Sequence, residues 1–192
     1  MDAAILEKAS KIKMLLLDVD GVMTNGQVLL LPGGEEVKMF CIADGFGIVS
    51  AMKCGIRIGI ISGRSSAALK IRCEELRIED LYMDRMDKLP VLEEIAARHH
   101  LNFDEIAFIG DDVPDLPVLE RVGLSVAPAN AHSHVKKRVD LVLQRQGGDG
   151  AVRELTDLLL TAQGKEQFIL GQFTSNRINH EDTKARKISR QK

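Results

Sequence analysis

The chain has 192 residues, 45% hydrophobic and 28% charged, with a formal net charge of -2 at pH 7. That length favours one domain with a real core, and the near-neutral balance gives no bias towards nucleic acid or a membrane surface. No apolar run approaches the roughly 18 residues that span a bilayer, and the three cysteines, Cys41, Cys54 and Cys73, read as reduced thiols of a cytoplasmic protein.

In chain order, Ile5, Leu6, Ala9 and Ile12 predict a short amphipathic helix with no secretory signal pattern around it. Met14 to Leu17 reads as a buried strand that runs straight into Asp18-Val19-Asp20-Gly21. Period-two geometry puts Asp18 and Asp20 on one side of an ideal strand, and Gly21 permits a tight turn after them. Gln27–Leu31 and Glu35–Phe40 flank Pro32-Gly33-Gly34, the pattern of a β-hairpin. Asp44-Gly45-Phe46-Gly47 precedes a short helix expected over Ile48–Lys53. The strand Ile56–Ile61 leads into Ser62-Gly63-Arg64, and Ala67–Leu76 has helical composition. Asp80–Met83 reads as a strand, and Asp87-Lys88 precedes a helix over Leu89–His99. Glu105–Ile109 reads as a strand opening into Gly110-Asp111-Asp112-Val113-Pro114-Asp115, with a helix over Leu116–Val122. Short strands at Leu124–Ala127 and Leu141–Leu143 bracket a small helix at Val135–Arg138, and Gly150–Gln163 reads as a last helix. Residues 1–165 are expected to form a single domain. Residues 166–192, polar and mostly basic from Asn176, are expected to form a flexible tail, either disordered or ordered only against a partner subunit.

Alternation of strand and helix argues for α/β architecture, a doubly wound parallel sheet with helices on both faces. Right-handed crossovers then bring every strand's C-terminal loop to one edge, where ligands of open α/β sheets bind. Those loops carry Asp18 and Asp20, Ser62, Gly63 and Arg64, Lys88, and Asp111, Asp112 and Asp115. Singly, each has a plainer reading: Ser62 as a helix cap, Lys88 as an exposed charge, Asp115 as a first-turn acid suited to the helix dipole. Together they suit a phosphoester site. Carboxylates from separate loops favour a hard cation such as Mg²⁺. One aspartate can take the phosphoryl group and a second can move protons. A hydroxyl, an amide and a lysine can hold the phosphoryl oxygens.

Asp18-Val19-Asp20-Gly21-Val22, Ser62-Gly63-Arg64, Lys88 and Gly110-Asp111-Asp112-x-x-Asp115 resemble the four signatures of the haloacid dehalogenase superfamily. Asp44-Gly45-Phe46-Gly47-Ile48, Ile60-Ile61-Ser62-Gly63-Arg64-Ser65, Ile109 to Pro117 and Gly147-Gly148-x-x-Ala151-Val152-Arg153-Glu154 are similar to a phosphatase family within it, whose substrate is 3-deoxy-D-manno-octulosonate 8-phosphate. The resemblance runs from about Leu15 to Lys165. It implies a Rossmann-like fold and an aspartyl-phosphate route in lipopolysaccharide precursor synthesis. Asp18 would be the nucleophile and Asp20 the general acid/base. Mg²⁺ would be held by Asp18, the Asp20 carbonyl and Asp111, with Asp112 or Asp115 supporting. Ser62 and Lys88 would bind the phosphoryl group, while Gly63 and Arg64 would contact substrate. Relatives acting on a nine-carbon sugar acid phosphate tend to carry Glu where this chain has Arg64. Asn25 departs from the Asp usual after the threonine, and the tail after Lys165 is long.

The segments between signatures leave no room for a cap domain. Thr24 to Ser62 is filled by hairpin, helix and strand, and Arg64 to Lys88 by one helix and one short strand. A capless site and an apolar hairpin edge point to a homo-oligomer, a tetramer by the resemblance, with Arg72 a candidate to reach a neighbour's bound substrate carboxylate. Neither nucleic acid nor membrane is expected as a partner. Three other readings stand beside this one: a phosphatase of the nine-carbon acid, a non-catalytic regulatory domain, and a phospho-acceptor receiver domain. The last would need its aspartate where Ser62 stands.

Overall fold

The computed structural model describes residues 2–174. The elements run α1 (Ala3–Lys11), β1 (Met14–Leu17), β2 (Leu29–Leu30), β3 (Glu36–Val37), α2 (Ile42–Lys53), β4 (Arg57–Ile61), α3 (Ala67–Leu76) and β5 (Asp80–Tyr82). They continue with α4 (Leu89–His99), β6 (Ile106–Ile109), α5 (Leu116–Leu119), β7 (Leu124–Ala127), α6 (Ser133–Lys136), β8 (Leu141–Val142) and α7 (Ala151–Ala162). Six strands form one sheet in the order β5-β4-β1-β6-β7-β8, every neighbouring pair parallel. The doubly wound α/β sheet expected from the sequence is therefore present.

Period two divides the strand residues between two cores. Leu15, Leu17, Ile58, Ile60, Ala107, Ile109, Leu124 and Val126 face the layer that includes α1, α2, α3 and α7. Met14, Leu16, Ile61, Ile106, Phe108 and Ala127 face α4, α5 and α6. β1, buried on both faces, is apolar throughout for this reason. It lies at the centre of the sheet, with Leu17 level with Ile60 of β4 and Ile109 of β6. Asp18, Ser62 and Gly110 thus leave the sheet on the same edge. The Asp18 amide donates to the Ile109 carbonyl at 3.0 Å, which ties the first loop to β6.

Helix α5 stops at Leu119, three residues short of the expected end, and α6 starts two residues early; α2 and the hairpin differ more. Helix α2 begins at Ile42, six residues before the expected start, and runs through Asp44-Gly45-Phe46-Gly47. Glycine weakens a helix, but packing requires it here. A Cβ at Gly45 would overlap the Arg72 guanidinium, and one at Gly47 would overlap the Thr156 hydroxyl and meet Arg153 on α7. Asp44 is buried and accepts the Arg153 amide at 2.7 Å, capping α7 from a neighbouring helix. The hairpin is antiparallel as expected, but only two residues long on each side. Its Leu29 and Leu30 are exposed.

Beyond Lys165, residues 166–174 are helical. Ile169 is buried in the α1/α2/α7 core, and the Phe173 ring lies 5.7 Å from that of Phe46. The first part of the expected tail therefore packs on the domain. The rest, 175–192, lies outside the described residues.

Candidate active site

Three carboxylates converge at the C-terminal edge of the sheet. Asp18 follows β1, Asp111 follows β6, and Asp115 ends the 3-10 turn Val113–Asp115. One oxygen from each lies within 4.8 Å of the others. Asp18 and Asp115 are buried. Such a group self-repels unless countercharge is supplied. Part of it comes from Lys88, which precedes α4 and is also buried. Its Nζ donates to Asp18 Oδ1 at 2.5 Å and to Asp115 Oδ1 at 2.6 Å. Burial opposes the ammonium charge, but the two carboxylates outweigh it and raise the Lys88 pKa.

One lysine does not balance three acids. Burial, then the charge of Asp115, pushes Asp18 up to about 6 against the pull of Lys88. Burial, then Asp18 and Asp115, pushes Asp111 up to about 8. The geometry fits a small divalent cation: oxygen donors from separate loops, held close, with an electrostatic need for further positive charge. Gly21 makes the convergence sterically feasible. It adopts a φ of +96°, and a Cβ there would overlap the Asp111 carboxylate.

The other expected residues divide between this group and its surroundings. Asp115 also shapes its own loop, because its Oδ2 accepts the amides of Asp111 at 2.9 Å and Asp112 at 3.2 Å. Asp112 does not join the group, because its carboxylate accepts the Val113 amide at 2.8 Å and caps the 3-10 turn. Ser62 is buried one residue past β4, and its Oγ accepts the Arg64 amide at 3.2 Å. A Cβ at the adjacent Gly63 would meet the Met86 sulfur at 2.8 Å. Arg64 pairs with Glu36 through Nη2, and its Nε lies 3.8 Å from Asp20 Oδ2. Asp20 stands apart from the three-acid group; its Oδ1 pairs with Lys38 and faces the Thr24 hydroxyl at 3.5 Å.

Arg72 is not the outward-reaching arginine expected from the sequence. It is buried on α3, donates to Glu75 at 2.8 Å and to the Cys41 carbonyl at 3.4 Å, and stacks over Phe40 at 5.9 Å. Packing on Gly45 holds it inside. Asn25 closes a local turn by accepting the Gln27 amide at 3.0 Å, a bond that Asp could equally accept.

Sequence reasoning missed three residues. Glu36 and Lys38 come from the hairpin, where inward charges look like ordinary solvated positions. Asn130 follows β7; its Nδ2 donates to the Gly21 carbonyl at 3.2 Å, and its Oδ1 accepts the Gly147 amide at 2.7 Å. Gly147 packs so closely on that carbonyl that a Cβ would overlap it, and the Gly148 amide donates to Val22 at 2.9 Å. The Gly147-Gly148 pair was legible as a motif, but its role as a strap on the Asp18–Asn25 loop was not.

A parallel α/β sheet with clustered acids and a buried lysine at its C-terminal edge defines the class: a hydrolase built for phosphoryl chemistry. A family model described as haloacid dehalogenase-like hydrolase matches residues 75–155. The chain is 42% identical over 172 residues to the 3-deoxy-D-manno-octulosonate 8-phosphate phosphatase of Escherichia coli K12, covering 90% of this chain and 92% of that relative. The Moraxella catarrhalis phosphatase of the same name, solved with magnesium, phosphate and KDO, superposes with a TM-score of 0.87 at 34% identity, over 88% of this chain and 98% of that one. The cobalt-bound Haemophilus influenzae enzyme gives 0.80 at 39% identity, over 82% and 92%. This chain belongs to the 3-deoxy-D-manno-octulosonate 8-phosphate phosphatase family of haloacid dehalogenase-like hydrolases.

Proposed function

We propose that this protein hydrolyses 3-deoxy-D-manno-octulosonate 8-phosphate to the free sugar acid and phosphate, a step of lipopolysaccharide precursor synthesis. The observation that carries the reading is the convergence of Asp18, Asp111 and Asp115, with buried Lys88 bonded to Asp18 and Asp115. Asp18 Oδ1 already bonds Lys88, so that carboxylate lies where an anionic phosphoryl group is also drawn. In the first step an Asp18 oxygen attacks phosphorus, the bond from phosphorus to the sugar oxygen breaks, and Asp20 gives that oxygen a proton. In the second, Asp20 takes a proton from water as the water oxygen attacks phosphorus, releasing phosphate and the Asp18 carboxylate. Ser62 Oγ and Lys88 Nζ bind phosphoryl oxygens, and Arg64 at the rim receives the sugar acid.

Mg²⁺, the cation in the M. catarrhalis structure, suits the donor set of Asp18, Asp111 and Asp115, with the Asp20 carbonyl as a further oxygen. When bound it offsets the repulsion between these acids and the incoming phosphate. Phosphate release from the eight-carbon substrate, with Mg²⁺ and with chelator, tests the reading. Asp18→Asn should reduce turnover by at least about 10³-fold while leaving the fold intact by circular dichroism. Retained turnover in that variant, or faster turnover of the nine-carbon analogue, would refute it.

A site with no cap of its own needs a neighbour to cover it, and we infer a homo-oligomer, a tetramer by family likeness. Exposed Leu29, Leu30, Met39 and Ile42 on and beside the hairpin supply the apolar surface. Sedimentation checks this, and a fully active monomer would end it. Among the described residues no helix is long and apolar enough to cross a membrane, and the free thiols of Cys41, Cys54 and Cys73 support assignment to the cytoplasm.

A further inference from the structure

We propose that Lys38, delivered by the hairpin, is a positioning residue that fixes the Asp20 carboxylate with Oδ1 anchored and Oδ2 turned to the reacting oxygen. The inference rests on the reading of Asp20 as general acid/base.

Four observations support it. First, the Lys38 side chain is only 2% exposed although it lies on a two-stranded surface hairpin. Lysine is almost never this buried without a partner. Second, its Nζ meets two carboxylates, Asp20 Oδ1 and, at 2.9 Å, Glu36 Oε1. Third, the alternation along this strand is inverted relative to an ordinary surface hairpin. Val37 and Met39 point to solvent, while Glu36 and Lys38 point inward to the site. The chain thus leaves apolar groups outside in order to deliver this pair of charges. Fourth, Asp20 Oδ1 also faces the Thr24 hydroxyl at 3.5 Å, whereas among the described residues Oδ2 has Arg64 Nε, at 3.8 Å.

The consequence is positional. Asp20 lies in the turn after β1 with its side chain 23% exposed, so its orientation is set by side-chain partners more than by close packing. A proton donor must sit within hydrogen-bond reach of the departing oxygen. Ion pairing on Oδ1 selects one orientation and reserves Oδ2 for proton transfer. Glu36 completes the device by holding Lys38 from the far side, and Arg64 holds Glu36. The hairpin, which looks like an oligomer contact from outside, is on its inner face part of the acid/base apparatus.

The test is a double-mutant cycle with two substrates. Lys38→Met and Lys38→Arg are made alone and combined with Asp20→Asn, with folding checked by circular dichroism. On the eight-carbon sugar acid phosphate, whose leaving alcohol needs a proton, K38M is expected to lower kcat by about 10–100-fold with KM changed less than about threefold; general acid/base catalysis as a whole contributes roughly 10²–10⁴-fold. K38R, which keeps the cation, should recover most of that loss. On p-nitrophenyl phosphate, whose leaving group departs unprotonated, the rate of the initial nitrophenolate release should stay within about twofold of wild type. In the D20N background K38M should cost less than about twofold more, because the two residues act as one unit. An equal loss with and without D20N, a lost nitrophenolate release, or unchanged kcat in K38M would each overturn the proposal. If D18N itself retained turnover, the functional reading would fail instead, and the two failures are therefore distinguishable.

Discussion

Chelation of divalent cations leaves the Asp18–Asp111–Asp115 group to its own charge balance, and the balance depends on pH. The ordinary aspartate value is 3.8, and in the folded chain burial and neighbouring acids lift Asp18 to about 6 and Asp111 to about 8. A carboxylate whose folded pKa is raised binds its proton more tightly when folded. Its contribution is favourable below the unfolded value and is lost as pH rises through the folded one. Each proton is worth about 1.36 kcal/mol per pH unit across that window. Asp18 and Asp111, which titrate as a coupled pair, therefore predict together a loss of a few kcal/mol between about pH 4 and 8. The carboxylates with lowered pKa, Glu7, Glu36, Glu105 and Asp140, act below about pH 4.5, while Asp44, raised by burial, adds to the fall. Urea unfolding in chelator from pH 5 to 8, followed by far-ultraviolet circular dichroism since the chain has no Trp, should show stability dropping by a few kcal/mol. Excess Mg²⁺ should remove most of the drop by binding the folded state. Asp111→Asn, neutral throughout, should flatten the upper part of the curve. A chelated protein whose stability stayed level or rose with pH would refute this account of the site.

Two further outcomes follow from the loops that carry the site. Asn130→Ala strips the donor from the Gly21 carbonyl and the acceptor from the Gly147 amide. It should cost about 1–2 kcal/mol of stability and lower kcat by at least about fivefold with KM nearly unchanged; a variant with wild-type kcat would show that the strap holds nothing the reaction needs. Asp44→Ala removes the cap on α7, whose Arg153 amide it accepts at 2.7 Å, and should cost about 1–2 kcal/mol in urea unfolding while leaving the Mg²⁺-dependent rate per folded molecule unchanged.

How legible the site was depends on the distance over which each residue's reason lies. Asp18 could be read from a few residues, because an apolar run that ends in a carboxylate cannot be comfortable without a partner. Asp111 and Lys88 required the whole alternation of strands and helices, which sequence periodicity supplied. The start of α2 was not legible because Asp44-Gly45-Phe46-Gly47 has the propensity of a break. Its glycines serve contacts with Arg72 and α7, more than 25 and 100 residues away respectively. Asp112 and Asp115 could not be separated from the spacing alone. Structure separates them, since one caps its own turn and the other is buried under Lys88. Lys38 and Asn130 stayed hidden because single polar residues in a hairpin and a turn carry no pattern, and only the folded chain shows them meeting the first loop.

Asp18 and Asp20 stand two residues apart and are chemically identical, yet the fold gives them opposite surroundings. The Asp18 carboxylate is buried among two other acids, with Lys88 on one oxygen. The Asp20 side chain is 23% exposed and, among the described residues, meets two cations and a hydroxyl. A nucleophile gains from being immobile and shielded from bulk water, because attack on phosphorus needs one fixed line of approach. An acid/base must instead trade a proton with a departing alcohol and then with water, so it needs access at one oxygen and restraint at the other. On the roles proposed for Asp18 and Asp20, it is environment and not residue type that divides nucleophile from acid/base. The turn at Gly21 separates these environments. It swings the chain past Asp111, presents its carbonyl to Asn130, and leaves Asp20 on the side where the hairpin's Lys38 can reach it.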